Sequence, residues 1–302
     1  MRQEFYSNGK LLLSGEYAVL DGALAWAIPT KFGQYLQLTT NSTTQLSWKS
    51  LDEKGKTWFE GRYELDTLKE IAASAKTISN TLQNILLKTK QLNPEFLTDF
   101  EGYAVETKLT FPRNWGLGTS STLINNIAQW AQVNAHELLA MTMGGSGYDI
   151  ACAKHDKPIL YTLKDTIPAV QEIPQSFSFY DSLYFVFLNK KKNSSDGIAA
   201  FRKQKIDTST LVNQITQLTK AMITSTNMTD FEKQMVAHEK LLSNALGMPT
   251  VKSELFSDFS GEIKSLGAWG GDFVLATGDQ STPDYFKNKG YPIVFPFEKM
   301  IL

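Results

Sequence analysis

The sequence predicts an α+β protein of one large domain or two smaller ones. Its first third is dense in β-branched and aromatic residues broken by turn signals, and its second half interleaves long helical patterns with short apolar runs. Its 302 residues, 42% hydrophobic and 12% aromatic, are enough to bury a sizeable core.

The elements follow in order. Residues 5–13, 23–32, 35–40, 45–50 and 57–65 read as strands of a meander with one covered face. From 68 to about 92 the positions Leu68, Ile71, Ile78, Leu82, Ile85 and Leu86 keep helical spacing, and Pro94 follows as a stop. Residues 103–111 read as a strand, succeeded by a glycine loop and a helix with Leu123, Ile124, Ile127, Ala128 and Ala131 on one stripe. A short helical piece and a second glycine loop precede strands at 159–163 and 183–188. The segment between those strands, with Pro168 and Pro174, is the expected domain boundary. Helices are expected at 195–204, 208–225 and 228–246, the last closed by Gly247 and Pro249, then strands at 273–277 and 291–295 around a short helix near Thr282.

Thirty basic residues against 31 acidic ones, a net charge of -1, give no field that would draw the chain to nucleic acid or an anionic membrane. Cys152 is the only cysteine, which excludes an internal disulfide and a cysteine zinc site, and His136, His155 and His238 are scattered. The first residues meet a charge and two glycines before any apolar run long enough for a signal peptide. A soluble cytoplasmic protein acting on a small polar solute is the expectation.

Eight of the 20 glycines fall in the windows 114–118, 144–147 and 267–271, which suggests loops whose backbone approaches something closely. Pro112, Arg113, Asn114, Trp115, Gly116, Leu117, Gly118, Thr119, Ser120 and Ser121 follow a strand and open a helix, where free N–H groups favour an anion. The segment is neither a P-loop nor a dinucleotide fingerprint, and a plain turn with Thr119 or Ser120 as N-cap reads equally well. Asp149 follows the second window by two residues as a general base or a capping residue. The third window, with Asp272 directly after it, is a ligand loop or a tight connection. Lys10 stands beside a reacting group or on a strand edge. Trp115 and Trp269 read as hydrophobic filler before adenine stacking, and residues 190–195 as a solvated charge run or an anion site.

Together these segments resemble the GHMP kinase superfamily, which includes galactokinase, homoserine kinase, mevalonate kinase and phosphomevalonate kinase, over nearly the whole chain. Gly9 to Gly22 is similar to the first motif of the mevalonate and phosphomevalonate branch, with Tyr17 where a histidine is usual. Pro112 to Ser121 is similar to the ATP phosphate loop, with Thr119 for the customary first serine. Gly267 to Asp272 resembles the third motif, and Gly147, Tyr148, Asp149, Ile150 and Ala151 match the signature of a bacterial subgroup named GYDIA after these letters.

The resemblance implies a two-lobed α+β fold, with a ribosomal-protein-S5-like ATP-binding domain over 1–172 and a ferredoxin-like α+β domain over 173–302. It implies transfer of the γ-phosphate of ATP to the hydroxyl of a small-molecule acceptor. Asp149 is then the base, Lys10 lies near it and the acceptor hydroxyl, and Glu16 holds Lys10. The ATP loop is Asn114, Trp115, Gly116, Leu117, Gly118, Thr119, Ser120 and Ser121, and the Mg²⁺ ligands are Ser120 and Glu137, the latter substituting for the family's helix glutamate. Asp272, where glycine is usual, either faces away or helps hold the metal. No nucleic acid or membrane is implied, and a homodimer is left open. Only Arg2, Arg62, Arg113 and Arg202 are arginines, and a carboxylate needs fewer cationic partners than a carboxylate plus a phosphate, so mevalonate precedes phosphomevalonate as acceptor. The alternative is a GHMP-fold metabolite sensor without catalysis. The related diphosphomevalonate decarboxylase shares the fold, but no motif selects it.

Overall fold

A computed structural model describes residues 2–98, 101–174, 177–191, 194–204 and 207–302. The chain divides into two compact units, Met1–Gly9 with Phe32–Arg113 and Leu117–Lys154, and Lys10–Lys31 with Asn114–Gly116 and His155–Leu302. This division interleaves along the chain, whereas the sequence suggests one cut after residue 172. The long strands β1 (Arg2–Ser14) and β2 (Ala25–Asn41) each contribute residues to both units.

The first unit sets a sheet against helices. β3 (Gln45–Leu51), β4 (Thr57–Glu64), β5 (Glu70–Ala73) and β6 (Gly102–Leu109) order as β5-β4-β3-β6-β2, antiparallel except for β3 with β6. Alternation puts Leu46 and Trp48 of β3 on the covered face and Lys49 in solvent. That face packs on Leu82, Ile85 and Leu86 of α1 (Lys76–Leu92) and Ile124 and Ile127 of α2 (Thr119–Ala131), with α3 (Ala135–Thr142) and α4 (Tyr148–Lys154) completing the layer.

Two expectations in this unit are corrected. Strands 23–32 and 35–40 are one strand, because Gly33 is no turn: a β-carbon there would collide with the Ser7 carbonyl and the Tyr6 ring, so glycine serves close approach of a neighbouring backbone. The helix expected from 68 begins at Lys76. Leu68 takes φ 53, which stops a helix, and Glu70–Ala73 pair with β4 instead.

In the second unit, residues 25–27 of β2 pair with β7 (Ile159–Lys164), which forms a hairpin with β8 (Ile167–Glu172) through Asp165 and Thr166, both at positive φ as a tight hairpin turn requires. β8 occupies the segment read as a domain boundary; its largely exposed edge position tolerates Pro168. After β9 (Leu183–Phe187) come α5 (Ser194–Arg202), α6 (Thr208–Ile223), α7 (Met228–Leu246), α8 (Val251–Leu255), β10 (Ile263–Ser265), β11 (Phe273–Thr277), α9 (Thr282–Asn288), β12 (Val294–Pro296) and α10 (Phe297–Met300). The antiparallel order β10-β11-β9-β12 makes a second, smaller sheet. α8 and β10 carry no sequence signal, being five and three residues long.

Candidate functional site

The predicted residues fall on both units. In the second, Leu11, Leu12 and Leu13 bury the end of β1, and the chain turns through Glu16 and Tyr17, the latter at φ 59, into a short 3-10 turn over Ala18–Asp21. Lys10 Nζ donates to the Gly116 carbonyl at 3.0 Å, which brings the first motif to the phosphate loop.

Glu16 does not take the expected partner. Its Oε1 accepts from Lys264 Nζ at 2.6 Å, and His238 Nε2 lies 3.4 Å from Oε2. Lys264 also donates to the Ser265 carbonyl at 3.0 Å and lies 3.9 Å from Glu239, whose carboxylate accepts from the Ser265 N–H at 3.0 Å and hydroxyl at 3.1 Å. All four ionisable side chains are buried. Burial raises the Glu16 carboxyl against the pull of Lys264, and burial pushes Glu239 up to about 7, again opposed by Lys264. Burial, then Lys264, lowers His238 well below its ordinary value, so its imidazole is neutral. A buried pair missing one member is strongly destabilising, so this cluster pins the turn after Lys10 to α7 and β10.

The loop residue Trp115 is walled by Phe187, Phe273 and Phe295, with ring centroids 5.3 to 6.3 Å away. Trp269 is also buried; its backbone N–H donates to Tyr17 Oη at 3.0 Å and its indole to the Pro249 carbonyl at 3.0 Å. Both tryptophans are therefore packing residues. Asp272 does not face away: a β-carbon on Gly116 would strike its carboxylate. Lys192 and Asn193 of the lysine run lie outside the described residues.

In the first unit, the N-cap of α2 is Gly118 at φ 92, not Thr119 or Ser120, and no side chain caps it. The first intrahelical bond runs from Thr122 N–H to the Gly118 carbonyl at 3.0 Å, which leaves the N–H groups of Thr119, Ser120 and Ser121 without helical acceptors. Ser121 and Thr122 hydroxyls turn back to the Gly118 carbonyl at 2.9 and 3.0 Å, whereas Ser120 is exposed. Arg113, just before the loop, stacks over Trp58 at 3.8 Å.

Asp149 stands half-buried in the first turn of α4 and accepts from the Ile150 N–H at 3.1 Å. Glu137 lies in the first turn of α3, which Asn134 caps. Its neighbour His136 has no role in the sequence reading: burial lowers its imidazole, against a hydrogen bond with the Gly147 backbone and the charge of Asp149. Among the described residues no group of three or more His, Cys, Asp or Glu could hold a metal by itself. A cavity of about 710 Å³ lies on the sheet face bearing Ser47, Lys49, Glu60 and Arg62 and includes none of the predicted site residues.

No family model and no curated protein matches the sequence. Solved structures do match. The mevalonate kinase of Methanococcus jannaschii aligns at TM-score 0.72 and 15% identity over 98% of this chain and 97% of its own. The phosphomevalonate kinase of Streptococcus pneumoniae, in complex with phosphomevalonate and AMPPNP, aligns at 0.68 and 16% over 95% of each chain. The galactokinase of Lactococcus lactis, complexed with galactose, aligns at 0.72 and 14% over 97% of this chain and 92% of its own. The chain thus shares the α+β fold of these solved structures. Its large sheet and second, smaller sheet match the two-domain GHMP kinase fold that the resemblance of the motifs implies.

Proposed function

We propose that this chain is an ATP-dependent kinase that transfers the γ-phosphate of ATP to the hydroxyl of a small acid, mevalonate first and phosphomevalonate second. The observation that carries the reading is the start of α2, where Gly118 leaves three N–H groups free of side-chain caps, an arrangement suited to a phosphate. Two of the three solved structures described above are named for mevalonate or phosphomevalonate, which supports the acceptor class. The domain assignment of 1–172 to nucleotide and 173–302 to the second domain belongs to the same proposal, as does a cytoplasmic location. Among the described residues no helix is long and apolar enough to cross a membrane.

Phosphoryl transfer asks mainly for positioning and charge neutralisation. Asp149 accepts the proton of the acceptor hydroxyl as its oxygen attacks phosphorus, and the ADP oxygen leaves. Lys10, anchored on the Gly116 carbonyl, supplies positive charge to the reacting oxygens, and Glu16 fixes the turn after it through Lys264. Mg²⁺ would need few protein donors here. It takes one or two carboxylates plus phosphates and water rather than a full protein cage, and the exposed hydroxyl of Ser120 and the carboxylate of Glu137 are its proposed ligands. Held by these residues, the ion would neutralise phosphate charge.

Asp149→Asn keeps shape and removes the base, so turnover falls by about 10²–10⁴-fold while ATP affinity stays within a few fold. Unchanged turnover in this variant overturns the assignment. The second reading, a metabolite-binding protein of this fold without catalysis, is favoured by one observation, the Asp272 carboxylate against the phosphate loop.

A further inference from the structure

We propose that Gln34 is a positioning residue for nucleotide binding: it draws the Thr122 hydroxyl out of the first turn of α2 and so keeps the N–H groups of Thr119, Ser120 and Ser121 set for a phosphate. The inference rests on the kinase reading and assigns a role to a buried polar network that reading leaves unused.

The network lies wholly within the first unit. α2 turns an apolar stripe, Ile124, Ile127, Ala128 and Ala131, to the core, and beside it buries a polar one, Thr122, Asn125 and Asn126. Strands β1 and β2 meet the polar stripe with Ser7 and Gln34, both buried. Gly33, next to Gln34, leaves room for the Ser7 carbonyl, and β1 thereby comes near enough for Ser7 to join. Asn125 Nδ2 donates to Ser7 Oγ at 2.8 Å, Ser7 Oγ donates to Asn126 Oδ1 at 2.7 Å, and Asn126 Nδ2 donates to the Gln34 carbonyl at 2.9 Å. The Gln34 side chain closes the series one turn nearer the start of α2, where its Oε1 accepts from Thr122 Oγ1 at 2.7 Å. Thr122 and Asn126 share a helix face, so Gln34 grips α2 twice.

Buried polar groups cost desolvation that apolar packing avoids, and their best-attested use is to fix a register. Here the register is that of the helix start. The Thr122 hydroxyl has one proton and three acceptors in reach: Gln34 Oε1 at 2.7 Å, the Gly118 carbonyl at 3.0 Å and the Thr119 carbonyl at 3.1 Å. The nearest of the three lies outside the helix. A threonine hydroxyl that bonds back to the carbonyl four residues earlier tends to bend its helix. In α2 the bend would fall on the turn whose N–H groups have no helical acceptors. By taking the proton, Gln34 keeps that turn straight.

The test is calorimetric titration of a non-hydrolysable ATP analogue, with excess Mg²⁺, into wild type, Gln34→Met and the double variant Gln34→Met with Thr122→Val. Met removes the acceptor and keeps an unbranched side chain, Val removes the hydroxyl and keeps the branching, and circular dichroism and the melting temperature confirm each fold. Gln34→Leu stands in if Gln34→Met does not fold. The expected result is a Kd that rises about tenfold in Gln34→Met, as the freed hydroxyl turns back on Gly118. In the double variant, with no hydroxyl to turn back, the Kd returns to within about twofold of wild type; a loss of packing alone would not be rescued by a second substitution in the same network. A Gln34→Met protein that binds like wild type, or a double variant no tighter than the single one, overturns the inference and leaves the kinase reading standing. A wild type that does not bind the analogue overturns both.

Discussion

Lys264→Met removes the one cation from a buried cluster and keeps the length of its stem. In the wild type Lys264 Nζ lies 2.6 Å from Glu16 and 3.9 Å from Glu239, with all three side chains buried. Removing one member of such a pair costs about 3–5 kcal/mol, and at about 2–4 °C per kcal/mol the melting temperature falls by about 6–20 °C. The pH dependence separates charge from packing. Glu239 rises from 4.5 to about 7 on folding, so between those values the native state holds a proton that the unfolded chain has lost. Stability is full below 4.5, declines as pH rises, and by neutral pH the cost is about 3 kcal/mol. Lys264 opposes this rise in both Glu16 and Glu239, so without it the carboxyls rise further, and each further pKa unit adds ~1.4 kcal/mol of loss on the alkaline side. His238, held below its ordinary value first by burial and then by Lys264, stays buried in the variant. The expected outcome in thermal melts is a larger deficit near about pH 8 than near about pH 5.5. An equal deficit at the two pH values would refute the electrostatic account and make Lys264 a packing residue.

Two other changes test the loops. Gly118→Val places a β-branched residue at φ 92, so ATP should weaken by far more than the acceptor in titrations of each; equal loss for both means that the loop is merely structural. Tyr17→Phe strips the acceptor from the buried Trp269 N–H and should lower stability by about 1–3 kcal/mol in urea unfolding. An unchanged urea midpoint would remove Tyr17 from its role as the tie to the third glycine loop.

What the sequence made legible was local. α7 runs over Met228–Leu246 and β11 over Phe273–Thr277 as their periodicity and apolar run predict, since each pattern is long or continuous enough to name its own partner face. The three glycine loops announced themselves because their backbone needs glycine, and Asp149 and Lys10 stand on the elements the motifs place them on. Gly33 misled because a glycine that admits a neighbouring strand and a glycine that turns the chain look alike in one sequence. The buried cluster was illegible for a different reason. Glu16 and Lys264 are separated by 248 positions, and Lys264 lies in a three-residue strand whose local pattern suggests a solvated lysine. Only folding discloses that Glu16 serves Lys264 and that Asp272 rests on Gly116.

The central claim is phosphoryl transfer from ATP to a small hydroxy acid. Its most direct test is a coupled ATP-consumption assay of the wild-type protein with Mg²⁺ across mevalonate, phosphomevalonate, homoserine, galactose and several sugar acids. The account predicts that mevalonate, or in its place phosphomevalonate, raises ADP release above the acceptor-free rate, with the phosphate recovered on the acceptor. ADP release raised only by a sugar or an amino acid contradicts the isoprenoid acceptor and leaves a kinase of another substrate. A flat response to every acceptor contradicts the kinase itself and favours the metabolite-binding reading.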